Sequence, residues 1–290
     1  MTSHVVCSSH SPAMNRTREA GTAIWAAVET LADRVDAFDP DLLVLFGVDH
    51  GRGFRDIIPA LGVVESATGL GDLGSPTGTY AVPRDVARQL TADLVADGFD
   101  VARIRSASLD HGFGQSMQMF TGGALDRWQV IPVFMNCAFD PLVSPLRATA
   151  FGAAVGRHLR VLLPGQRLLF MGTGGLSHSP PSLAHIEDDA LDDAGRRNIN
   201  QAGYGAATAA IDPDADREFL DLLTSRDFDA LHNSDDLPTR MGAGGAEIRS
   251  WLAAVAAAPD VPLEVVAYAP VDEWITGMGI VTSLGVRENA

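Results

Sequence analysis

The sequence predicts an α/β fold, a single domain over residues 1–290 with a mostly buried central sheet flanked by helices. Three observations lead there. Short, nearly continuous apolar runs, such as Asp41 to Val48 (DLLVLFGV) and Val130 to Asn136 (VIPVFMN), read as strands covered on both faces. They alternate with longer segments whose apolar residues recur at helical spacing. No repeat, low-complexity stretch or linker divides the chain, so layers of helix and sheet around one core are the simplest account.

The elements follow in order. Val5 to Cys7 is a short buried strand ending just before His10. Thr17 to Phe38 is a helix with Ile24, Ala27, Val28 and Leu31 on one face, stopped by Asp39-Pro40. The Asp41–Val48 strand leads into Asp49 and His50. Gly69 to Pro83, rich in Gly, Pro, Ser and Thr, is expected to be a loop. Pro83 to Asp97 is a helix, Val101 to Ile104 a strand, and Asp110-His111-Gly112 is placed in the loop after it. The Val130–Asn136 strand precedes a helix from Ser144 to Leu162, with Ser144 as cap and Pro145 at its first position. Strand Arg167 to Met171 runs into Gly174-Gly175-Leu176-Ser177-His178. Ser182 to Ala230 is mostly helical. Gly242 to Gly245 turns before a helix from Ala246 to Ala258, Val261 to Ala269 is a late strand, and Glu273-Trp274-Ile275 opens a last helical turn.

Composition narrows the function. A chain of this size buries roughly 75% of its unfolded surface and needs no disulfide staples. Cys7 and Cys137, the only cysteines, offer neither a disulfide framework nor zinc-finger spacing, so a reduced, cytoplasmic setting is expected. A net charge of −16 argues against nucleic acid and anionic membranes as partners, and obliges any anionic substrate to find local arginines. The N-terminal residues lack the pattern of a secretory signal, and no apolar stretch is long enough to span a bilayer.

Histidine placement points to chemistry. His10, His50 and His178 each lie just beyond the C-terminal end of an expected strand, the edge where open α/β sheets bind ligands. His111 has a similar setting between Asp110 and Gly112. Surface or hydrogen-bonded structural histidines are the commoner occurrence, and His4, His158, His185 and His232 are read that way. His10 and His50 have small flanking residues that admit a metal, while Asp49 and Asp110 are placed to orient a ring. Glu247, at the start of a helix where the macrodipole favours a negative charge, is the candidate carboxylate ligand. Two histidines and a carboxylate with open positions suit a non-haem Fe(II) oxygenase or a zinc hydrolase, and ligand type alone leaves both open. His111 and His178 remain as acid and base. The Gly172-Thr173-Gly174-Gly175 run lacks the lysine of a phosphate loop, and Ser177 is not in a nucleophile elbow.

Several motifs, in order along nearly the whole chain, resemble those of the class III (LigB-type) extradiol ring-cleavage dioxygenases. They include Cys7-x-Ser9-His10-Ser11-Pro12, Leu45-Phe46-x-x-Asp49-His50, Gly71-Asp72-x-Gly74-Ser75 and Asp110-His111-Gly112-Phe113. Pro132-Val133-Phe134, Gly174-Gly175-Leu176-Ser177-His178, Glu247-Ile248-x-x-Trp251 and Glu273-Trp274-Ile275-x-Gly277 continue the series. The resemblance implies a LigB-like fold, Fe(II) held by His10, His50 and Glu247, and His111 and His178 as the acid/base pair. It also implies a homo-oligomer and meta cleavage by O2 of a 3-substituted catechol of the 2,3-dihydroxyphenylpropionate type. Arg52 and Arg55, soon after His50, are the expected partners of a substrate carboxylate. The 182–240 segment matches poorly. The competing expectations are a zinc-dependent hydrolase on the same scaffold, which needs no oxygen, and a non-catalytic metal-binding protein.

Overall fold

A computed structural model of the chain describes residues 2–286. Eleven strands form among them: β1 (Ser3–Ser8), β2 (Leu42–Gly47), β3 (Leu61–Val64), β4 (Ala67–Leu70), β5 (Thr77–Thr79), β6 (Ala102–Ile104), β7 (Ala107–Leu109), β8 (Val130–Met135), β9 (Leu168–Thr173), β10 (Glu264–Val271) and β11 (Thr276–Thr282). The helices are α1 (Thr22–Phe38), α2 (Arg84–Ala96), α3 (His111–Thr121), α4 (Pro145–Leu162), α5 (Asp193–Ala202), α6 (Tyr204–Ala209), α7 (Pro213–Ser225), α8 (Phe228–Asn233), α9 (Leu237–Arg240) and α10 (Ile248–Ala257), with short 3-10 turns between some of them.

Eight strands make one mixed sheet in the order β10-β11-β1-β9-β2-β8-β3-β6, and β5-β4-β7 make a small second sheet. The centre is parallel: β1 with β9, β9 with β2, and β2 with β8. All six residues of β2, β8 and β9 are buried, as their unbroken apolar sequences require. Alternate side chains feed two cores. Val5, Val44 and Phe170 pack with α2, α4, α7 and α10, while Val6, Leu43, Leu45 and Leu169 pack with α1 and α3. No helix among the described residues is long and apolar enough to cross a membrane.

The α/β architecture with its buried, helix-flanked sheet is as the sequence predicts, and so are the caps of α4: Ser144 Oγ accepts the Arg147 N–H, with Pro145 at the first position. Four local expectations are corrected. Gly69–Pro83 is not all loop, because the end of β4, the middle strand of the small sheet, pairs there with β5 at its edge. Asp110-His111-Gly112 is a helix start: Asp110 caps α3 by accepting the Gly112 N–H. The first helix begins at Thr22, after a 3-10 turn at Arg18–Gly21. Glu247 ends a 3-10 turn (Gly244–Glu247) and sits at the N-cap of α10, rather than inside a helix from Ala246. The last helical turn is present as expected, as a 3-10 turn at Asp272–Trp274. Ile275 adopts a left-handed φ of 46°, and β11 folds back antiparallel on β10.

Candidate active site

Parallel pairing in the order β1-β9-β2 brings three strand ends side by side, with Ser8 opposite Thr173 and Phe46 opposite Gly172. The chain leaving those ends carries His10, the 174–178 turn and His50, so residues distant in sequence share one edge of the sheet. α3 delivers His111 to the same place. The four rings border a cavity of about 420 Å³, together with Glu247. That volume suits a small aromatic ligand.

Each ring is oriented by a partner on its Nδ1. His10 Nδ1 lies 2.9 Å from Thr173 Oγ1. Asp110 Oδ2 accepts both the His50 backbone N–H at 2.8 Å and His50 Nδ1–H at 3.1 Å. His111 Nδ1 donates to Asp72 Oδ2 at 2.6 Å. His178 Nδ1 donates to the Leu176 carbonyl at 2.7 Å. All four Nε2 atoms are thereby left for the cavity. His50 Nε2 reaches Glu247 Oε1 at 3.0 Å, and His178 Nε2 lies 4.0 Å from the same oxygen. Glu247 Oε2 accepts the Gly175 N–H at 2.6 Å.

Burial and charge divide these groups. Burial pushes His10 down to about 3, so its ring is neutral, the form that binds a metal. Burial also opposes charge on His50, but the Asp110 and Glu247 carboxylates outweigh it and raise its pKa well above the ordinary value. Glu247 resists the upward push of its own burial because of His50, His178 and His10, and falls to about 2. Asp110 is held below the usual carboxylate range in spite of burial, by His111 and His50.

The donor set fits a divalent metal. Ring nitrogens of His10, His50 and His111 come within 4.8 Å of one another, and the Glu247 carboxylate meets the cluster at His50. Proximity alone selects three histidines. The carboxylate carries the negative charge that a cation needs, and the Asp110 and Thr173 contacts fix the tautomers of His50 and His10.

The 174–178 turn works through close approach. A Cβ at Gly244 would stand 2.2 Å from His178 Nε2, and one at Gly175 would stand 2.6 Å from His178 Cε1. Any side chain at either position would displace the ring. The turn is clamped from the opposite side by Asp216 on α7, a fully buried carboxylate. Asp216 accepts from Ser177 N at 2.6 Å, Ser177 Oγ at 2.8 Å and Tyr268 Oη at 2.8 Å. Asp216→Ala leaves the two buried Ser177 donors without that acceptor, at about 1–3 kcal/mol each, and the partly buried Tyr268 hydroxyl as well. Urea denaturation is expected to show a midpoint well below wild type, and an unchanged midpoint would remove the clamp from consideration.

The other expected residues lie as follows. Asp49 orients no ring. It accepts backbone N–H groups of Arg52, Gly53 and Phe54, and burial with Asp110 nearby raises it to about 7. Arg52 borders the cavity, but its guanidinium is paired with Asp72 at 3.1 Å and with Asp193. Arg55 borders a separate concavity beside it. His4, His158 and His232 bond to Ser283, Asp97 and Thr149, as structural histidines do. Two features of the site were not picked out from the sequence: Asp72 against His111, whose Gly71-Asp72 motif was visible without a role, and the α5 arginines Arg196 and Arg197 on the cavity wall, which no local signal set apart.

Comparison with known proteins places the chain in a family. A family model described as the catalytic LigB subunit of aromatic ring-opening dioxygenase matches residues 4–279. Three relatives share the name 2,3-dihydroxyphenylpropionate/2,3-dihydroxicinnamic acid 1,2-dioxygenase. One from Paraburkholderia xenovorans is 36% identical, covering 98% of each chain. One from Burkholderia vietnamiensis is 35% identical over 95% of each. One from a Rhodococcus species is 34% identical, over 97% of this chain and 98% of its own.

Proposed function

The chain belongs to the family of catalytic LigB subunits of aromatic ring-opening dioxygenases, and from that premise we propose that it is a non-haem Fe(II) enzyme cleaving a 3-substituted catechol by the extradiol route. The bond broken lies between a hydroxylated carbon and its unhydroxylated neighbour. Both atoms of O2 enter the product, and no external reductant is needed. The substrate class is that named for the relatives, 2,3-dihydroxyphenylpropionate or a close analogue. The observation that carries this reading is the convergence of four Nδ1-anchored histidines and Glu247 on one cavity.

His10, His50 and Glu247 are the proposed ligands. Fe(II) held there would supply Lewis acidity toward the catechol oxygens and the capacity to activate O2. The chain's own residues do the rest. His178, donating through Nδ1 to the neutral Leu176 carbonyl, presents an Nε2 lone pair and takes the proton of a catechol hydroxyl. His111, oriented by its Nδ1 bond to the Asp72 carboxylate, returns a proton from Nε2 as the O–O bond breaks. Leu183, Ile186 and Trp274 on the cavity wall exclude water from the ring being opened. The whole chain is taken as one catalytic domain assembling as a homo-oligomer, which light scattering checks. Free, buried Cys7 and Cys137 support a cytoplasmic setting.

Anaerobic loading with Fe(II), addition of 2,3-dihydroxyphenylpropionate and then air is expected to consume one O2 per catechol and yield a yellow product. No uptake across a panel of catechols would sink the proposal. Zn(II) outcompetes Fe(II) at N/O ligands, so aerobically purified protein is expected to be zinc-loaded and inactive until reconstituted. Oxygen-independent activity with zinc would favour the hydrolase instead.

A further inference from the structure

The wall of the cavity is unusually basic for this chain. The net charge is −16 and every basic residue is an arginine, yet Arg16, Arg52, Arg196 and Arg197 all border one cavity. Arg52 is committed to Asp72 and Asp193. Among the described residues, Arg16, Arg196 and Arg197 form no ion pair within 4.0 Å, although many arginines elsewhere do.

Arg196 is the most buried of the three. It is partly buried, and its guanidinium makes two long contacts, both 3.4 Å, to the carbonyls of His185 and Ile186. Burial lowers its pKa, and the Arg52 charge adds to that effect. It also sits near the N-terminal end of α5, where the macrodipole disfavours a cation. A desolvated charge with weak partners is costly unless a ligand completes it. One turn on, Asn200 also lines the cavity. Its Oδ1 accepts the Ser182 N–H at 2.8 Å, which turns its NH2 group to other acceptors.

We infer that Arg196, flanked by Arg197 and Asn200, binds the carboxylate that ends the side chain of the catechol, and so selects anionic 3-substituted catechols over neutral ones. This rests on the ring-cleavage reading and reassigns the role expected of Arg52 and Arg55. Arg52 becomes the link that holds Asp72, and through it His111, to α5. A guanidinium is suited to the task because its planar fork meets a carboxylate through two parallel hydrogen bonds.

The test compares two catechols of equal length, 3-(2,3-dihydroxyphenyl)propionate and 3-propylcatechol, on Fe(II)-loaded full-length protein. Wild type is expected to favour the carboxylate by about 10–100-fold in kcat/KM, the range of a charged hydrogen-bonded contact. Arg196→Gln, and more fully Arg196→Gln/Arg197→Gln, should collapse that ratio toward one through KM, with Arg196→Lys recovering part of it. A ratio unchanged in the double variant overturns the inference, as does equal loss on both substrates. If wild type cleaves neither catechol, the ring-cleavage reading has failed, and calorimetry then judges the subsite alone. Tighter binding of 3-phenylpropionate than of 3-phenylpropanol, lost in the double variant, supports it. Equal binding of the two overturns it.

Discussion

Glu247→Ala is expected to abolish metal retention and ring cleavage together. The carboxylate is buried, ionised down to about 2, and shared between His50 Nε2 at 3.0 Å and the Gly175 N–H at 2.6 Å. Its removal deletes the negative ligand and leaves two imidazoles, too weak a set to hold Fe(II) through dialysis. Asp110→Asn supplies the graded comparison. It alters the group that orients His50 and caps α3 but removes no proposed ligand, so affinity should fall about 10–100-fold, as for outer partners of other metal sites. Metal analysis after dialysis, with oxygen uptake alongside, reads both. Glu247→Ala protein that retains stoichiometric Fe(II) would show that the ligand set has been misassigned, and the cluster of His10, His50 and His111 would then be the alternative.

The second large effect falls on His178. Substitution by glutamine is expected to lower kcat by about 10²–10⁴-fold, the usual contribution of a positioned acid or base, while Fe(II) content stays at the wild-type level. Its Nδ1–H is held by the Leu176 carbonyl, its backbone N–H by Met241 and its carbonyl by Gly244 N–H, so the ring's position is built by the loop rather than by metal. Retained turnover in His178→Gln would show that His178 is not the base. Loss of metal along with turnover would move His178 into the ligand set.

The ring-cleavage family, the buried strands β2, β8 and β9, and the capped helix α4 were all legible in the sequence. Those features depend on neighbours a few residues apart: continuous apolar runs, a Ser-Pro cap, and motifs held in order. The alignment of His10, His50 and His178 at strand ends was legible for the same reason, since a parallel sheet puts its C-terminal ends on one edge. β11 was not legible. Thr276 to Thr282 is buried at every position, without alternation, and it becomes a strand because β1 and β10 flank it. The start of α3 at His111 depends likewise on Asp110 turning inward to cap it.

What the sequence determined by itself is the chemistry available: three histidines at adjacent strand ends, a fourth beside an acidic residue, and a carboxylate at a helix start. Tertiary structure decided how that chemistry is divided. Asp72 stands 39 residues before His111, and Asp216 39 residues beyond Ser177, yet each bonds its partner through a side chain. Arg52 is paired with carboxylates and Arg196 is not, a difference set by what α5 brings near each of them. Local pattern carries secondary structure because backbone geometry repeats over a few residues. Which ring is base, which is acid and which cation faces the substrate depends on hydrogen bonds and charges between segments that only the packed chain brings within reach.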